Sequence, residues 1–238
     1  MIDSPLDGHV IAIAGAAGGL GPSVATRLAD AGATLALADV DQDRADDVAR
    51  RLGLPDDRVD ARAVDLLDEK AADGWAAALT ERFGHVDGLL HLVGGWRGGD
   101  PIDSFDLSDY EFLHDLLVRT VQLTTRAFHS ALTSGERGTF VLVSAAAAQK
   151  PEGANAAYAA AKAAAESWTL ALADSFEGTN ATANIVVVNA ILTPAMREKS
   201  PDKDFPTFTP AEQIADAMVF LCSDSAARMN GQRLALHP

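Results

Sequence analysis

A tyrosine and a lysine four residues apart could together transfer a proton. Tyr158 and Lys162 enclose three alanines, and residues at this spacing lie on one face of a helix, one turn apart. An ammonium group beside a phenol stabilises the phenolate, so we expect Lys162 to lower the pKa of Tyr158 from its ordinary value of about 10. The pair therefore predicts an acid/base site that works alongside a hydride-carrying cofactor.

A glycine-rich turn far upstream could hold that cofactor. Residues 15–21 read Gly-Ala-Ala-Gly-Gly-Leu-Gly and lie between a predicted strand and a predicted helix, which is the context of a dinucleotide site. Glycines allow close approach of the backbone to a pyrophosphate, and the helix N-terminus favours an anion. The residues expected to bind the cofactor here are Gly15, Gly18, Gly19, Leu20 and Gly21.

Two aspartates after predicted strands could contact the adenosine part of the cofactor. Asp39 ends the second strand, where a carboxylate can accept hydrogen bonds from the ribose diol and repel a 2′-phosphate. Val40 and Asp41 follow, with no arginine to receive that phosphate, so NAD(H) is expected to be preferred over NADP(H). The alternative for Asp39 is a helix N-cap. Asp65 could face the adenine amine, or it could simply be a turn residue.

Strand-like and helix-like segments alternate along the chain, which is typical of a doubly wound α/β fold. We predict one Rossmann-type domain over residues 1–238, with a mostly parallel seven-stranded sheet and helices on both faces. Strands are expected at 9–14, 33–39, 58–64, 87–93, 139–143, 183–188 and 233–236. Helices are expected at 20–30, 42–52, 69–83, 108–133, 154–177 and 210–222. The long connections 94–107 and 193–209 follow strand C-termini and are predicted substrate loops.

Composition excludes several classes of function. The formal net charge of -15 argues against nucleic-acid and anionic-membrane partners. No apolar run is long enough to span a bilayer, and no leader is visible after Met1. Cys222 is the sole cysteine and the six histidines are scattered, so we expect no disulfide framework and no metal site. A cytoplasmic enzyme with a small-molecule substrate is the expectation.

The glycine turn, the Tyr158/Lys162 pair and Asn230-Gly-Gln232 together resemble the short-chain dehydrogenase/reductase family over nearly the whole chain. The resemblance implies a Rossmann-type fold, NAD(P) as cofactor and oligomerisation. Where the family usually has Asn-Asn-Ala-Gly, the chain has His91-Leu-Val-Gly94, and Gly94 is expected to contact the cofactor. The usual catalytic serine falls at Ala145, with Ser144 one position earlier, and the usual helix asparagine falls near Leu117.

Two loops resemble the narrower dihydropteridine reductase branch, which uses NADH and lacks the catalytic serine. They are Gly94-Gly-Trp-Arg-Gly-Gly99 and the segment from Thr193 to Pro210. The resemblance implies hydride transfer to a quinonoid dihydropteridine or a similar flat conjugated acceptor, with Tyr158 as proton donor and Lys162 anchoring the nicotinamide ribose. The residues expected to bind substrate are Trp96, Ser144 and Ala145. Trp96 would stack on or border the acceptor, or else act as a hydrophobic peg for its loop.

Two alternatives remain open at this point. The first is a carbonyl or alcohol oxidoreductase of the same family, in which Ser144 or water replaces the lost serine. The second is a non-catalytic NAD-binding sensor. The changed serine and asparagine count against the first alternative, and the retained Tyr158/Lys162 pair counts against the second.

A homo-oligomer is also expected, because the helices at 108–133 and 154–177 carry apolar residues on more than one face. These residues are Phe112, Leu116, Leu123, Phe128, Trp168, Leu172 and Phe176. They could pair with a second subunit in a four-helix bundle, and the short C-terminus favours a dimer over a tetramer. The alternative is that these faces pack on their own sheet. His91 is expected to be a core or sheet-end histidine.

Overall fold

A computed structural model describes residues 4–237. The strands are β1 (Val10–Ala14), β2 (Thr34–Asp39), β3 (Val59–Ala63), β4 (Gly88–His91), β5 (Gly138–Ala145), β6 (Ala181–Val188), β7 (Ala190–Leu192), β8 (Phe208–Pro210) and β9 (Arg233–Ala235). Seven of them form one sheet in the order β3-β2-β1-β4-β5-β6-β9. Every neighbouring pair in this sheet is parallel. The predicted seven-stranded doubly wound sheet is confirmed.

The helices cover both faces of the sheet. They are α1 (Gly21–Asp30), α2 (Gln42–Leu52), α3 (Glu69–Phe83), α4 (Leu107–His114), α5 (Thr120–Ser134), α6 (Ala156–Ser175), α7 (Pro194–Lys199) and α8 (Ala211–Cys222). Within β1, Ile11 and Ile13 pack towards α1 and α8, whereas Ala12 and Ala14 pack towards α3 and α5. Because both faces are covered, the strand is wholly buried and its sequence reads as an apolar run.

The predicted helix 108–133 is interrupted. The structure divides it into α4, a π-helical turn at Asp115–Arg119 and α5. Leu117, the residue expected to stand in for the family's asparagine, lies in this turn with its side chain buried. A π turn accommodates an extra residue in a continuous helix, so helical periodicity alone did not reveal it.

The predicted loop 193–209 contains regular structure. Its first residues form α7, and Thr193 caps this helix by accepting a hydrogen bond from the Met196 amide. The two ends of the segment are joined in a small parallel sheet, in which Ala190 pairs with Phe208 and Leu192 with Pro210. The segment is therefore a closed excursion fastened at its base by the two strands, and its role as a substrate loop stays a prediction.

Most of the apolar residues offered for oligomerisation are buried within the chain itself. Leu123, Phe128, Leu172 and Phe176 all lie in or beside the core, because α5 and α6 pack their apolar faces onto β4, β5 and β6. Phe112 remains exposed. The packing alternative thus accounts for four of the seven residues. Within residues 4–237, no helix has the length and apolar character needed to cross a bilayer.

Candidate functional site

A cleft of about 960 Å³ runs along the C-terminal edge of the sheet. One end, which we call the cofactor half, is lined by the glycine turn and Asp39. The other end, the substrate half, is lined by Trp96, Ser144 and Tyr158, with Lys162 between the two. Parallel strands bring their carboxyl ends to this edge, so residues distant in the sequence meet there. The cleft unites the predicted proton-transfer pair with the predicted phosphate turn.

Steric contacts explain the glycines of the turn. A Cβ on Gly21 would lie 2.0 Å from the carbonyl oxygen of Ala16, and one on Gly15 would lie 2.9 Å from the Val93 amide nitrogen. Gly15 also has φ +78°, a conformation that glycine adopts without strain. Gly18 and Gly19 line the cleft. A Cβ on Gly19 would lie 3.2 Å from the Thr193 methyl group, across the opening.

The N-terminus of α1 faces this turn with unpaired amide groups. Leu20 occupies the N-cap position and lines the cleft, and no side chain in the described part of the protein caps the helix. Uncapped amides and the helix dipole form a site for an anion. This arrangement fits the pyrophosphate of a dinucleotide.

Asp39 is held in place by the backbone around it. Its Oδ2 accepts a hydrogen bond from the Ala17 amide at 3.2 Å, and its Oδ1 accepts one from the Asp41 amide at 3.4 Å. The N-cap of α2 is Asp41, which accepts from the Arg44 amide, so the N-cap alternative for Asp39 was wrong. The carboxylate of Asp39 lies at the cleft, where an adenosine ribose could reach it.

An arginine that the sequence reasoning missed lies beside Asp39. The guanidinium Nη1 of Arg44 is 3.6 Å from the Asp39 Oδ1, and its Nη2 donates to the Ala17 carbonyl at 2.5 Å. Arg44 also lines the cleft. The expectation that no arginine could receive a 2′-phosphate was therefore wrong. The residue comes from the first turn of α2, five positions beyond Asp39, and its approach depends on how α2 packs.

Asp65 lies at the edge of the cleft, exposed to solvent. Its Oδ1 accepts a hydrogen bond from the Leu67 amide at 2.9 Å, which is the geometry of an Asx turn. The structure thus confirms the turn interaction, and the contact with the adenine amine stays a prediction.

Tyr158 and Lys162 lie one turn apart on α6, but Lys162 does not lower the pKa of the phenol. The Lys162 Nζ donates to the Val143 carbonyl at 2.9 Å and lies 6.0 Å from the centre of the tyrosine ring. Burial raises the pKa of Tyr158 above 10.0, because the ring packs against a cluster that includes Leu117 and Ala161. Burial likewise lowers the pKa of Lys162 to about 8. The expected stabilisation of the phenolate was wrong, and the tyrosine retains its proton at neutral pH.

Ser144, and not Ala145, lines the cleft. The Ser144 Oγ is buried and has no hydrogen-bond partner among the described residues. Successive residues of a strand point to opposite faces, so the neighbouring Ala145 points elsewhere. Ala145 is not among the residues that line the cleft, and its role as a substrate contact stays a prediction. A buried hydroxyl without a partner is unusual, and here it faces the same opening as Tyr158.

The histidine at the end of β4 is a buried structural residue, as expected. Its Nε2 lies 3.1 Å from the Thr120 hydroxyl and its Nδ1 lies 3.3 Å from the Thr124 hydroxyl. Burial, and to a smaller extent the charge of Lys162, lower the pKa of His91 to about 3. The imidazole is therefore neutral at physiological pH, and it lies near enough to Lys162 to feel its charge.

The loop after β4 presents Trp96 at the mouth of the substrate half. The indole is 60% exposed, so it does not act as a peg buried in the core. The Gly99 amide donates to the Ala154 carbonyl at 2.8 Å, which ties the loop to the segment before α6. Gly94 lines the cleft, and a Cβ there would meet only the Leu92 carbonyl, at 3.8 Å. The indole lies beside Gly98 of its own loop, and the rest of the side chain is exposed.

No cluster of metal-ligating side chains was found in the part of the chain that the structure describes. The groups that meet in the cleft are amides of a helix N-terminus, an aspartate, a lysine, a phenol and a hydroxyl. Together these groups can bind a dinucleotide and deliver a proton at the opposite end.

Known oxidoreductases are similar to this chain over nearly its whole length. A family model described as enoyl-(acyl carrier protein) reductase, of the short-chain dehydrogenase type, matches residues 15–237. D-threitol dehydrogenase from Mycolicibacterium smegmatis is 28% identical over 243 residues, covering 98% of this chain and 93% of that protein. Levodione reductase from Leifsonia aquatica is 28% identical over 240 residues, covering 93% and 90%.

Solved structures match over the same extent. The crystal structure of a 3-ketoacyl-(acyl-carrier-protein) reductase from Brucella melitensis, complexed with NADH, has a TM-score of 0.83 and 28% sequence identity. It covers 97% of this chain and 97% of that one.

Proposed function

Because the chain belongs to the short-chain dehydrogenase/reductase family, we propose that it is an NADH-dependent reductase of a flat conjugated acceptor of the quinonoid dihydropteridine type. The family relation establishes an oxidoreductase. The choice of acceptor rests on one observation: Trp96 presents an exposed indole at the mouth of the substrate half of the cleft. Tyr158 is the proton donor in this proposal.

The cofactor half supports the choice of a dinucleotide. NADH supplies the hydride when bound. The glycine turn and the uncapped N-terminus of α1 bind the pyrophosphate, and Asp39 accepts hydrogen bonds from the adenosine ribose. Lys162 holds the nicotinamide ribose. The buried carboxylate of Asp39 favours NADH over NADPH, although Arg44 lies close enough to offset part of that preference.

The raised pKa of Tyr158 fits reduction. A phenol that remains protonated at neutral pH can donate its proton to the acceptor as hydride arrives. In a quinonoid dihydropteridine the developing charge spreads over conjugated ring nitrogens, so one donor can serve. An indole face stacked on such a ring contributes about 0.5–1.5 kcal/mol beyond buried area.

A second candidate is a reductase of ketones, and a specific observation favours it. The Ser144 hydroxyl is buried, unpartnered and in the cleft with Tyr158. Two donors aimed at one oxygen are what a developing alkoxide requires. Both curated relatives described above have names that refer to alcohol or dione substrates, which supports this candidate as well.

One set of variants separates the two candidates. NADH oxidation is followed with a quinonoid dihydropterin generated in situ and, separately, with a cyclic diketone, using the wild type, Tyr158→Phe and Ser144→Ala. For the pterin reaction we expect rapid turnover, a loss of at least about 100-fold in Tyr158→Phe and little change in Ser144→Ala. A diketone reaction that depends on both residues would instead establish the second candidate.

The same experiment also tests for a non-catalytic NAD-binding protein. Binding of NADH is measured independently by fluorescence. Tight binding with no oxidation by either acceptor would contradict both reductase proposals and favour a sensor. Normal turnover in Tyr158→Phe would refute the assigned proton donor.

A further inference from the structure

A third ionisable residue extends the catalytic row on α6. Tyr158, Lys162 and Glu166 are spaced four residues apart, so they lie along one face of the helix in successive turns. Lys162 is 6% exposed and Glu166 is 2% exposed. Most glutamates on helices are solvated, and a buried one directly below an active-site lysine calls for an explanation.

Only one of the two carboxylate oxygens of Glu166 has a hydrogen-bond partner among the described residues. Its Oε2 accepts a hydrogen bond from the Arg233 Nε at 2.7 Å, which joins α6 to β9. Its Oε1 is buried and has no hydrogen-bond partner among the described residues. Burying a charge that is incompletely paired costs stability, and an apolar residue would pack here at lower cost. The Glu166 carboxylate therefore does not stabilise the core as well as an apolar side chain would, which suggests that its charge acts on a neighbouring residue.

The neighbour that responds is Lys162. Its ammonium group donates to the Val143 carbonyl of β5 and, within residues 4–237, has no carboxylate within ion-pair distance. Burial lowers the pKa of Lys162, and the charge of Glu166 opposes that effect.

The other surroundings of Lys162 supply no compensating negative charge. From β4 it faces the neutral imidazole of His91, and from its own helix the protonated phenol of Tyr158. Among the described residues, Glu166 is the one charge that bears on the pKa of Lys162.

We propose that Glu166 is a positioning residue that keeps the buried Lys162 protonated, and that Arg233 fixes the glutamate in place for this purpose. The inference rests on the proposed function for the importance of Lys162, but the electrostatic coupling does not depend on the identity of the acceptor. Loss of the Glu166 charge leaves the ammonium group with one carbonyl and a desolvated surrounding. The lysine then becomes neutral at a lower pH and ceases to hold the nicotinamide ribose as a cation.

The test measures the lysine directly in the protein without cofactor. The chain contains five lysines, Lys70, Lys150, Lys162, Lys199 and Lys203, so lysine side chains labelled with ¹³C at Cε can be titrated individually by NMR. In Glu166→Gln we expect the Lys162 pKa to fall by about one to two units, the effect of one charge a helical turn away at an effective dielectric constant of about 20. Lys162→Arg assigns the signal.

Two further variants separate coupling from structural damage. Glu166→Asp retains the charge and should restore the Lys162 titration to within about half a unit of wild type. Asp174→Asn makes the same change of charge at an exposed position on α6 and should leave Lys162 unaffected. A Lys162 titration that is unchanged in folded Glu166→Gln, or shifted equally in Asp174→Asn, would overturn the proposal.

Turnover provides a second, separate readout. If the reductase proposal holds, the high-pH limb of kcat/KM moves to lower pH in Glu166→Gln and returns in Glu166→Asp. If no acceptor is reduced, the proposed function fails while the NMR titration still decides the role of Glu166. The two failures are thus distinguishable.

Discussion

In the cofactor half of the cleft the backbone leaves no room for a methyl group at Gly21, whereas the substrate half is lined by side chains that include the exposed Trp96 and the buried Ser144. A Cβ on Gly21 would lie 2.0 Å from a carbonyl oxygen, but one on Gly94 would meet nothing closer than 3.8 Å. Asp39 is buried, but Trp96 is exposed. The turn of the first region therefore requires glycine, whereas exposed residues of the second, such as Trp96, can change with less effect on the fold.

This difference explains why the family is clearer than the substrate. Close backbone packing requires glycine at fixed positions, and that requirement can be read from the sequence. The acceptor is chosen by a few exposed groups on loops, where function is commonly located.

The largest effect is expected from filling the glycine turn. Gly21→Ala forces the turn away from α1 and should cost about 3 kcal/mol in the free energy of unfolding, with loss of NADH binding. Gly94→Ala, in the loop after β4, should change stability by no more than about 0.5 kcal/mol. Urea denaturation measures both.

A third glycine, in neither half of the cleft, serves as the matched control. Gly74 lies exposed within α3 with no atom within 4 Å of its Cβ position, so Gly74→Ala should stabilise the protein by up to about 1 kcal/mol. Equal losses of unfolding free energy in Gly21→Ala and Gly94→Ala would show that the glycine turn is no more tightly packed than the loop after β4.

The buried His91 should make the stability of the protein depend on pH. The pKa of His91 is about 3 in the folded protein and about 6.5 when unfolded. Between these values the unfolded chain binds one more proton, so stability falls as the pH falls. Between pH 7 and pH 5 we expect this group to reduce the free energy of unfolding by about 2 kcal/mol.

Urea denaturation at the two pH values measures this loss. His91→Asn should remove most of it, and His9→Gln, which alters a histidine outside the core, should leave it unchanged. An identical pH dependence in wild type and His91→Asn would contradict the assignment.

Cofactor choice should depend on Asp39 and Arg44 together. Asp39→Asn removes the repulsion of a 2′-phosphate and leaves the Arg44 guanidinium nearby, so the preference for NADH over NADPH should fall by about tenfold, or about 1.4 kcal/mol. The double variant with Arg44→Ala should lose most of that gain. Dissociation constants from fluorescence titration measure the effect, and an unaltered NADPH affinity in Asp39→Asn would argue against ribose recognition by this residue.

The smallest effect is expected from substitution of Trp96 at the mouth of the substrate half. Trp96→Ala should raise KM for a flat acceptor by about two- to tenfold through loss of stacking, while Trp96→Phe should retain part of the affinity. Because the indole is largely exposed, neither variant should shift the melting temperature by more than a few degrees. A KM that is unchanged in Trp96→Ala would remove the principal support for the proposed acceptor.

The sheet was predictable because each buried strand is an apolar run bounded by turn residues. The bounds of α2 and α3 were also predicted correctly. The short strands β7 and β8 were missed, since three residues paired across a long excursion carry no periodic signal. The π-helical turn was missed because it preserves the helical appearance of its flanks.

Within the site, residue types were predictable but their environments were not. Tyr158 and Lys162 could be placed on one helical face from spacing alone. Their pKa values could not, because these depend on burial by Leu117 and other residues distant in the sequence. Arg44 and the pairing of Glu166 with Arg233 likewise depend on how separate elements pack.

The small sheet of β7 and β8 has a consequence for proteolysis. Both ends of the excursion between them are fastened, since the strands pair with each other and the Thr209 hydroxyl donates to the Leu236 carbonyl. A single protease cut between Ser200 and Phe205 would therefore release neither fragment. The nicked protein should migrate as one particle in a native gel and separate into two fragments only in denaturing detergent.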